Sequence, residues 1–327
     1  MSSKLNNIQI TNFQTESGAV YNVIPLSYQV FGPDLGSAPI VLVNHALTAN
    51  SEVIGEHGWW NDLIGQNKLI DTSVYTVLAF NIPGNGFDGF LIDNYKDFSA
   101  RDIADIFNQG LQLLKISGLY ACIGGSVGGG IAWELAALNP VLIQNLIPIA
   151  SDWKSSDWML ANTLLQDLIL NNSSNPVHDA RIQAMLCYRT PNSFKRRFNR
   201  TINKDLGIFN IESWLLHHGK KLKGRFQLAS YKLLNQLLGS IDITRNRNDF
   251  LEVASKIKAA IHVVGVDSDL FFTAQENKET VEELSKVKTN VFYHEIKSIH
   301  GHDAFLIEFD QLEKLLNSVF NKQLVSP

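Results

Sequence analysis

Ser126, Asp269 and His302 are the residue types of an acyl-transfer centre: a hydroxyl nucleophile, a carboxylate and an imidazole base whose tautomer the carboxylate fixes. Ser126 lies in the segment LYACIGGSVGGG, which carries G-x-S-x-G at Gly124, Ser126 and Gly128. The spacing has a mechanical reason. A serine that must stand clear of a sheet sits on a very tight strand-to-helix turn, so its backbone is strained and its neighbours must be small. The run before the serine reads as a strand and IAWELAALNP after it as a helix. The amide of Val127, first in that helix, is then placed to stabilise an oxyanion.

A serine needs its base and acid from elsewhere, and in α/β-hydrolases they follow in the order Ser, acid, His, in loops after late strands. Asp267-Ser268-Asp269 follows the strand-like run Ala260–Val266, and His300-Gly301-His302-Asp303 follows Asn290–Ile296. Each loop offers two candidates. Position favours His302, which follows a glycine and precedes a helix, with His300 bonding locally. Position also favours Asp269, leaving Asp267 as a strand-end or turn residue. The second oxyanion donor is expected from the loop after IVLVN, where the Leu47 amide is the natural candidate and His45 supports it. The nine histidines show no metal-ligand spacing. Gly84-Asn85-Gly86-Phe87-Asp88-Gly89 matches G-x-G-x-x-G, but no helix follows and it opens no βαβ unit, so it reads as an active-site loop and not a dinucleotide site.

The elements that must position these groups form an interrupted α/β pattern. Strands are expected at Ile8–Phe13, Leu26–Phe31, Ile40–Asn44, Val74–Asn81, Leu119–Gly124 and Leu146–Ala150, in a mostly parallel sheet flanked by helices. Ser99 with Asp102 marks the start of a helix over Ala100–Ile116. From residue 153 to 245 strand-like runs disappear and helical ones take over. Alternation then resumes with the two late strands, a helix over Gln275–Val287 and a last helix over Ala304–Phe320. This predicts an α/β-hydrolase core of residues 1–152 and 246–327, with a helical lid inserted at 153–245.

Composition limits the partners. The chain has 327 residues, 45% hydrophobic and 18% charged, which suits a soluble protein with a sizeable core. A net charge of −4 gives no reason to expect nucleic acid. No apolar run approaches the ~20 residues of a membrane span, and MSSKLNNIQI has no apolar signal core, so a cytoplasmic protein is expected. The two cysteines, Cys122 and Cys187, suggest no disulfide framework. Residues 151–250 carry 15 Lys and Arg against 8 Asp and Glu. A basic insertion suits an anionic ligand, and equally a solvated helical surface.

Several segments together resemble the homoserine O-acetyltransferases of the α/β-hydrolase superfamily. VNHALTAN resembles their H-A-L-T segment, and IGGSVGGG their G-G-S-M-G-G with Val127 in place of methionine. VDSDLFF resembles their acid loop, which puts the acid on Asp269. SIHGHDAFLIE resembles G-H-D-A-F-L, which puts the base on His302. CYRTPNSFKRRFNR and FQLASYKLLNQLLGSID resemble lid segments, and the likeness runs from about Ile40 to Glu308. It implies ping-pong acyl transfer from acetyl-CoA as co-substrate, no bound cofactor or metal, and a homodimer joined through lid helices. Asp303 matches the family carboxylate that holds the homoserine amine, and Thr48 and Tyr231 belong to the implied substrate site. Two positions depart from the pattern. Gln166 stands where the family has an arginine for the substrate carboxylate, and Gln227 and Ala229 replace an aspartate and an asparagine. Arg189 is the candidate replacement for the missing cation. The competing readings are an esterase or thioesterase with the same triad, transfer of succinyl or to another hydroxyl such as that of serine, and a non-catalytic binding protein. The intact triad order opposes the last.

Overall fold

A computed structural model describes residues 4–320. Its main sheet has eight strands: β1 (Asn6–Gln14), β2 (Val20–Phe31), β3 (Ile40–Asn44), β4 (Thr76–Phe80), β5 (Leu119–Gly125), β6 (Ile143–Ile149), β7 (Ala260–Val266) and β8 (Val291–Ile296). Their spatial order is β1-β2-β4-β3-β5-β6-β7-β8. The first two pairings, β1 with β2 and β2 with β4, are antiparallel, and the remaining pairings are parallel. The antiparallel edge follows from the short Thr15–Ala19 connection, which can turn a hairpin but cannot cross over.

The central strands are buried on both faces, and alternation sorts their side chains into two cores. Leu42, Leu78, Cys122 and Leu146 join a core with helices α1 (Ala100–Leu113) and α2 (Val127–Leu138). Val41, Val43, Val77, Ile123 and Ile147 face the other way, onto Trp60 and α10 (Phe309–Phe320). Helix α1 starts as expected: the Ser99 hydroxyl and Asp102 carboxylate form a capping box. It stops earlier than expected, with Lys115 at φ 59° just beyond it.

Between β6 and β7 the chain forms α3 (Asp157–Asn172), α4 (Pro176–Tyr188), α5 (Pro191–Phe198), α6 (Asn210–Lys223), α7 (Leu228–Gly239) and α8 (Phe250–Lys256); α9 (Ala274–Ser285) lies between β7 and β8. The two ends of the helical stretch are fastened to each other. Ser155 N donates to Ile241 O (2.9 Å) and Ile243 N to Trp153 O (3.2 Å). The returning segment is also tied to the core helices. Buried Glu134 of α2 accepts from Arg101 Nε (3.1 Å) and Asp242 N (3.2 Å), and Arg101 also donates to Asp242 O (2.9 Å).

Two expectations need correction. The stretch 153–245 is not purely helical: Ile202–Asn203 and Ile208–Phe209 pair as a small antiparallel ribbon around Gly207. The last helix is broken: Gly301–Leu306 forms a 3-10 turn and α10 starts only at Phe309. The break at Ile307 lets the histidine loop turn back over the sheet, with Glu308 accepting from the Ser298 hydroxyl (2.7 Å).

Candidate active site

Ser126 alone makes the reversal between β5 and α2, at φ 57° and ψ −128°. A residue with a Cβ is strained there. The fold holds it with a hydrogen bond from Ser126 N to Ile149 O (2.9 Å). The surrounding glycines are needed for close approach. A Cβ on Gly128 would lie 2.4 Å from the Asn44 carbonyl oxygen, and one on Gly125 would lie 2.4 Å from the Phe305 ring. The first turn of α2 therefore presses on the loop after β3, where Leu47 sits.

The three groups named from sequence meet. His302 Nε2 is 2.9 Å from Ser126 Oγ, and His302 Nδ1 is 2.8 Å from Asp269 Oδ2. Asp269 Oδ1 accepts from the amides of Phe271 (2.7 Å) and Phe272 (3.1 Å), which fix the orientation of the carboxylate. All three residues are at most 5% exposed. The rings of Phe271, Tyr188, Phe305 and Phe272 surround the imidazole at centroid distances of 5.1, 5.5, 5.6 and 6.0 Å. This apolar cage keeps bulk water from the base and strengthens its charge interactions.

The unchosen members of each pair have other work. Asp267 Oδ1 accepts from Ser298 N (2.9 Å), and the Ser268 hydroxyl accepts from Gly301 N (3.1 Å), so the acid loop ties down the histidine loop. His300 Nδ1 is 3.2 Å from Ser193 Oγ of α5. His45 is buried and neutral. Ile82 N donates to its Nε2 (3.0 Å), which leaves the proton on Nδ1 for the Ala46 carbonyl (2.8 Å). Burial pushes its pKa down to about 4. Asn85 of the glycine-rich loop reaches the same Nε2 (3.2 Å), while Gly84 and Gly86 pack against Leu233 and Ser230 of α7. That loop braces the loop after β3, where His45 and Leu47 lie. Val127 heads α2, where the first amides lack helical partners, and both Val127 and Leu47 are buried.

The expected substrate residues spread over the rim and the roof. Half-buried Thr48 gives its carbonyl to Arg225 Nη1 (3.0 Å). Tyr231 is 1% exposed, and its hydroxyl has no partner among the described residues. Arg189 ends α4 and is 7% exposed; its Nη1 is 3.7 Å from Asp303 Oδ2, and its Nε has no partner among the described residues. Burial raises the pKa of Asp303, with Arg181 and Arg189 pulling it back down. Arg181 is not among the residues expected from sequence. It lies over the Tyr188 ring at 5.5 Å, and no carboxylate is within 4 Å of it among the described residues. Gln166 is buried in the roof, donating to Ala180 O (2.9 Å) and to Gln183, so a neutral amide joins α3 to α4 where a cation was the pattern. The space beneath, lined by Leu47, Gln166, Tyr188, Tyr231 and Phe271, is closed down to about 10 Å³, room for roughly one water.

Among the described residues, no three His, Cys, Asp or Glu side chains are arranged to hold a metal ion, and both cysteines are free and buried. The arrangement is that of a serine nucleophile with a charge-oriented base.

A family model described as the alpha/beta hydrolase fold matches residues 39–199. The homoserine O-acetyltransferase of Cyclobacterium marinum is 32% identical over 329 residues, covering 93% of this chain and 92% of that one. Among solved structures, the homoserine O-acetyltransferase of Bacillus anthracis superposes with a TM-score of 0.88 at 18% identity, covering all of both chains. An acetylester hydrolase from Corynebacterium glutamicum reaches 0.80 at 19% identity, covering 97% of this chain and 96% of that one. The last two likenesses speak for the fold alone and do not separate transferase from hydrolase. The extended identity to the curated relatives does: the chain belongs to the homoserine O-acetyltransferase family and has the α/β-hydrolase fold.

Proposed function

We propose that the chain is a cytoplasmic acetyl-CoA:L-homoserine O-acetyltransferase working through an acetyl-Ser126 intermediate. The observation that carries this reading is the unbroken relay from Asp269 through His302 to Ser126 beneath a roof of α3, α4 and α7, in a chain of this family. Ser126 Oγ gives its proton to His302 Nε2 and attacks the thioester carbon. The resulting oxyanion is met by the amides of Val127 and Leu47. As the C–S bond breaks, the proton on His302 passes to the sulfur and CoA leaves. The acceptor hydroxyl then loses its proton to His302, attacks the acetyl carbon, and Ser126 recovers its proton as the ester departs. Asp269 stabilises the imidazolium in both halves.

The acceptor reading rests on charge pairing at the rim. Asp303 takes the ammonium of homoserine. Its carboxylate lies on Arg189 or Arg181, the two cations acting on Asp303, in place of an arginine at the Gln166 position. Thr48 and Tyr231 border the same space. The helical segment over the site acts as a lid; acyl transfer in preference to hydrolysis requires water to be excluded from the acyl-serine in this way.

A homodimer through this lid is supported by its surface. Leu160, Leu164, Leu165 and Leu168 are exposed along α3, and Leu216 of α6 is exposed as well, more apolar surface than solvated helices ordinarily carry.

Free-thiol release from acetyl-CoA tests the function. It should require both Ser126 and L-homoserine, and should be weak with succinyl-CoA or L-serine. Steady release without any acceptor would make the protein a thioesterase instead.

A further inference from the structure

Outside the histidine loop lies a second concavity of about 400 Å³, lined by Arg189, Ser193, Arg196, Arg197, Ile299 and His300. Its walls come from three parts of the chain: the end of α4, helix α5 and the loop that carries His302. Thr190 Oγ1 donates to Ile299 O (2.6 Å) and Ser193 Oγ meets His300 Nδ1 (3.2 Å), so α5 is fixed against that loop. Three guanidinium groups converge there. The facing acids are Asp303, 3.7 Å from Arg189 Nη1, and Glu308, whose charge reaches His300. No carboxylate is within 4 Å of Arg196 or Arg197 among the described residues. Arg189 is more than nine-tenths buried and its Nε is unpaired among the described residues, an arrangement that costs free energy unless something accepts from it.

Helix ends and aromatic faces explain only part of this. Lys195, Arg196 and Arg197 occupy the last turn of α5, where cations complement the helix dipole. Arg197 also rests on the faces of Phe198 and Trp214, at 5.5 Å from each ring. Neither effect calls for a concave wall shared with a buried arginine and an imidazole from other elements. Convergent guanidinium groups with hydroxyl and imidazole donors match the tetrahedral oxygens of a phosphate.

We propose that this pocket is an anion subsite that binds a phosphate group of the CoA donor, with Arg196 and Arg197 at its mouth and the buried Arg189 and Ser193 deeper in it. The inference rests on the acyltransferase reading and extends it to the donor. The site shares the loop of the catalytic base, so the pantetheine arm would run from the pocket past His302 to Ser126. In a ping-pong sequence CoA departs before the acceptor enters, so Arg189 is free to serve both partners in turn.

The test compares acetyl-CoA with acetyl-pantetheine, which carries the same thioester without the phosphates. Both are measured with saturating L-homoserine in the wild type, Arg196→Ala, Arg197→Ala and the double variant. The wild type should prefer acetyl-CoA in kcat/KM. Each substitution should shrink that preference by about tenfold, through the KM for acetyl-CoA, as expected for a lost charge-assisted contact. The double variant should also lose most of the salt dependence of acetyl-CoA turnover. A preference that survives in the double variant, even if both efficiencies fall together, would show a merely structural role and overturn the proposal. A wild type that does not distinguish the two thioesters would overturn it as well. A wild type that turns over neither would remove the acyltransferase reading and this proposal with it.

Discussion

The loops on the sheet and the helices above them obey different rules. The sheet-borne groups are over-determined. Ser126 is held by Ile149 and packed glycines, Asp269 by two amides, and His302 by Asp269, Ser126 and four rings. The roof is under-determined: Arg189 and Gln166 each keep one buried atom without a partner among the described residues, as does Tyr231. The reacting groups are therefore held in place by the core, while the roof above them keeps buried polar atoms without partners among the described residues.

The sharpest way to break this comparison is at the acid. Asp269→Asn should lower kcat by about 10⁴-fold, because the imidazole loses its oriented tautomer. Asp267→Ala removes the bond from Ser298 N and should cost about 1 kcal/mol of stability with a modest loss of rate. Steady-state rates paired with thermal unfolding separate the two; equal rate losses would mean that the acid is misassigned.

The roof should respond in binding and not in chemistry. Arg189→Ala and Arg181→Ala should each be compared for the KM of homoserine, and the one that binds the carboxylate should raise it by about ten- to a hundredfold with little change in kcat. No effect from either would mean that the acceptor is not an amino acid held by these groups.

A pH measurement probes His45, at the base of the loop after β3. His45 is folded as a neutral group with its pKa lowered to about 4 from 6.5. The folded state thus binds fewer protons than the unfolded one between those values. Stability should be full above about pH 6.5 and fall as the pH drops towards 4, by on the order of 3 kcal/mol in total. Chemical denaturation at several pH values checks it, and His45→Gln should flatten this part of the profile. The smallest effect on stability is expected at the lid surface. Leu164→Glu should convert a dimer to a monomer in sedimentation, with any loss of stability confined to the lost subunit contact; a monomeric wild type would remove the dimer.

The same contrast governs how much of the molecule is legible in its sequence. The strand–serine–helix turn, the two late loops and the main strands can be read because tight geometry demands glycine at fixed places and buried strands demand apolar runs. The broken last helix cannot, since Ala304–Phe320 is continuous in pattern and only the need to seat His302 interrupts it. The antiparallel edge has a signal, the short Ser17-Gly18 connection between the first two strands. The aromatic cage is hidden because its members are ordinary core residues in sequence, gathered from α4 and both loops. Arg181 escapes for a related reason: one arginine among several in a basic helical segment carries no local mark, and only the fold turns it towards Asp303.

The acyl-serine itself can be tested most directly by mixing the protein with acetyl-CoA alone, quenching within the first turnover and mapping the modification by mass spectrometry. One acetyl group is expected on the peptide bearing Ser126, discharged on adding L-homoserine with O-acetyl-homoserine formed in equal amount. An unmodified Ser126 under conditions where product still forms would contradict the mechanism, because transfer would then bypass the serine.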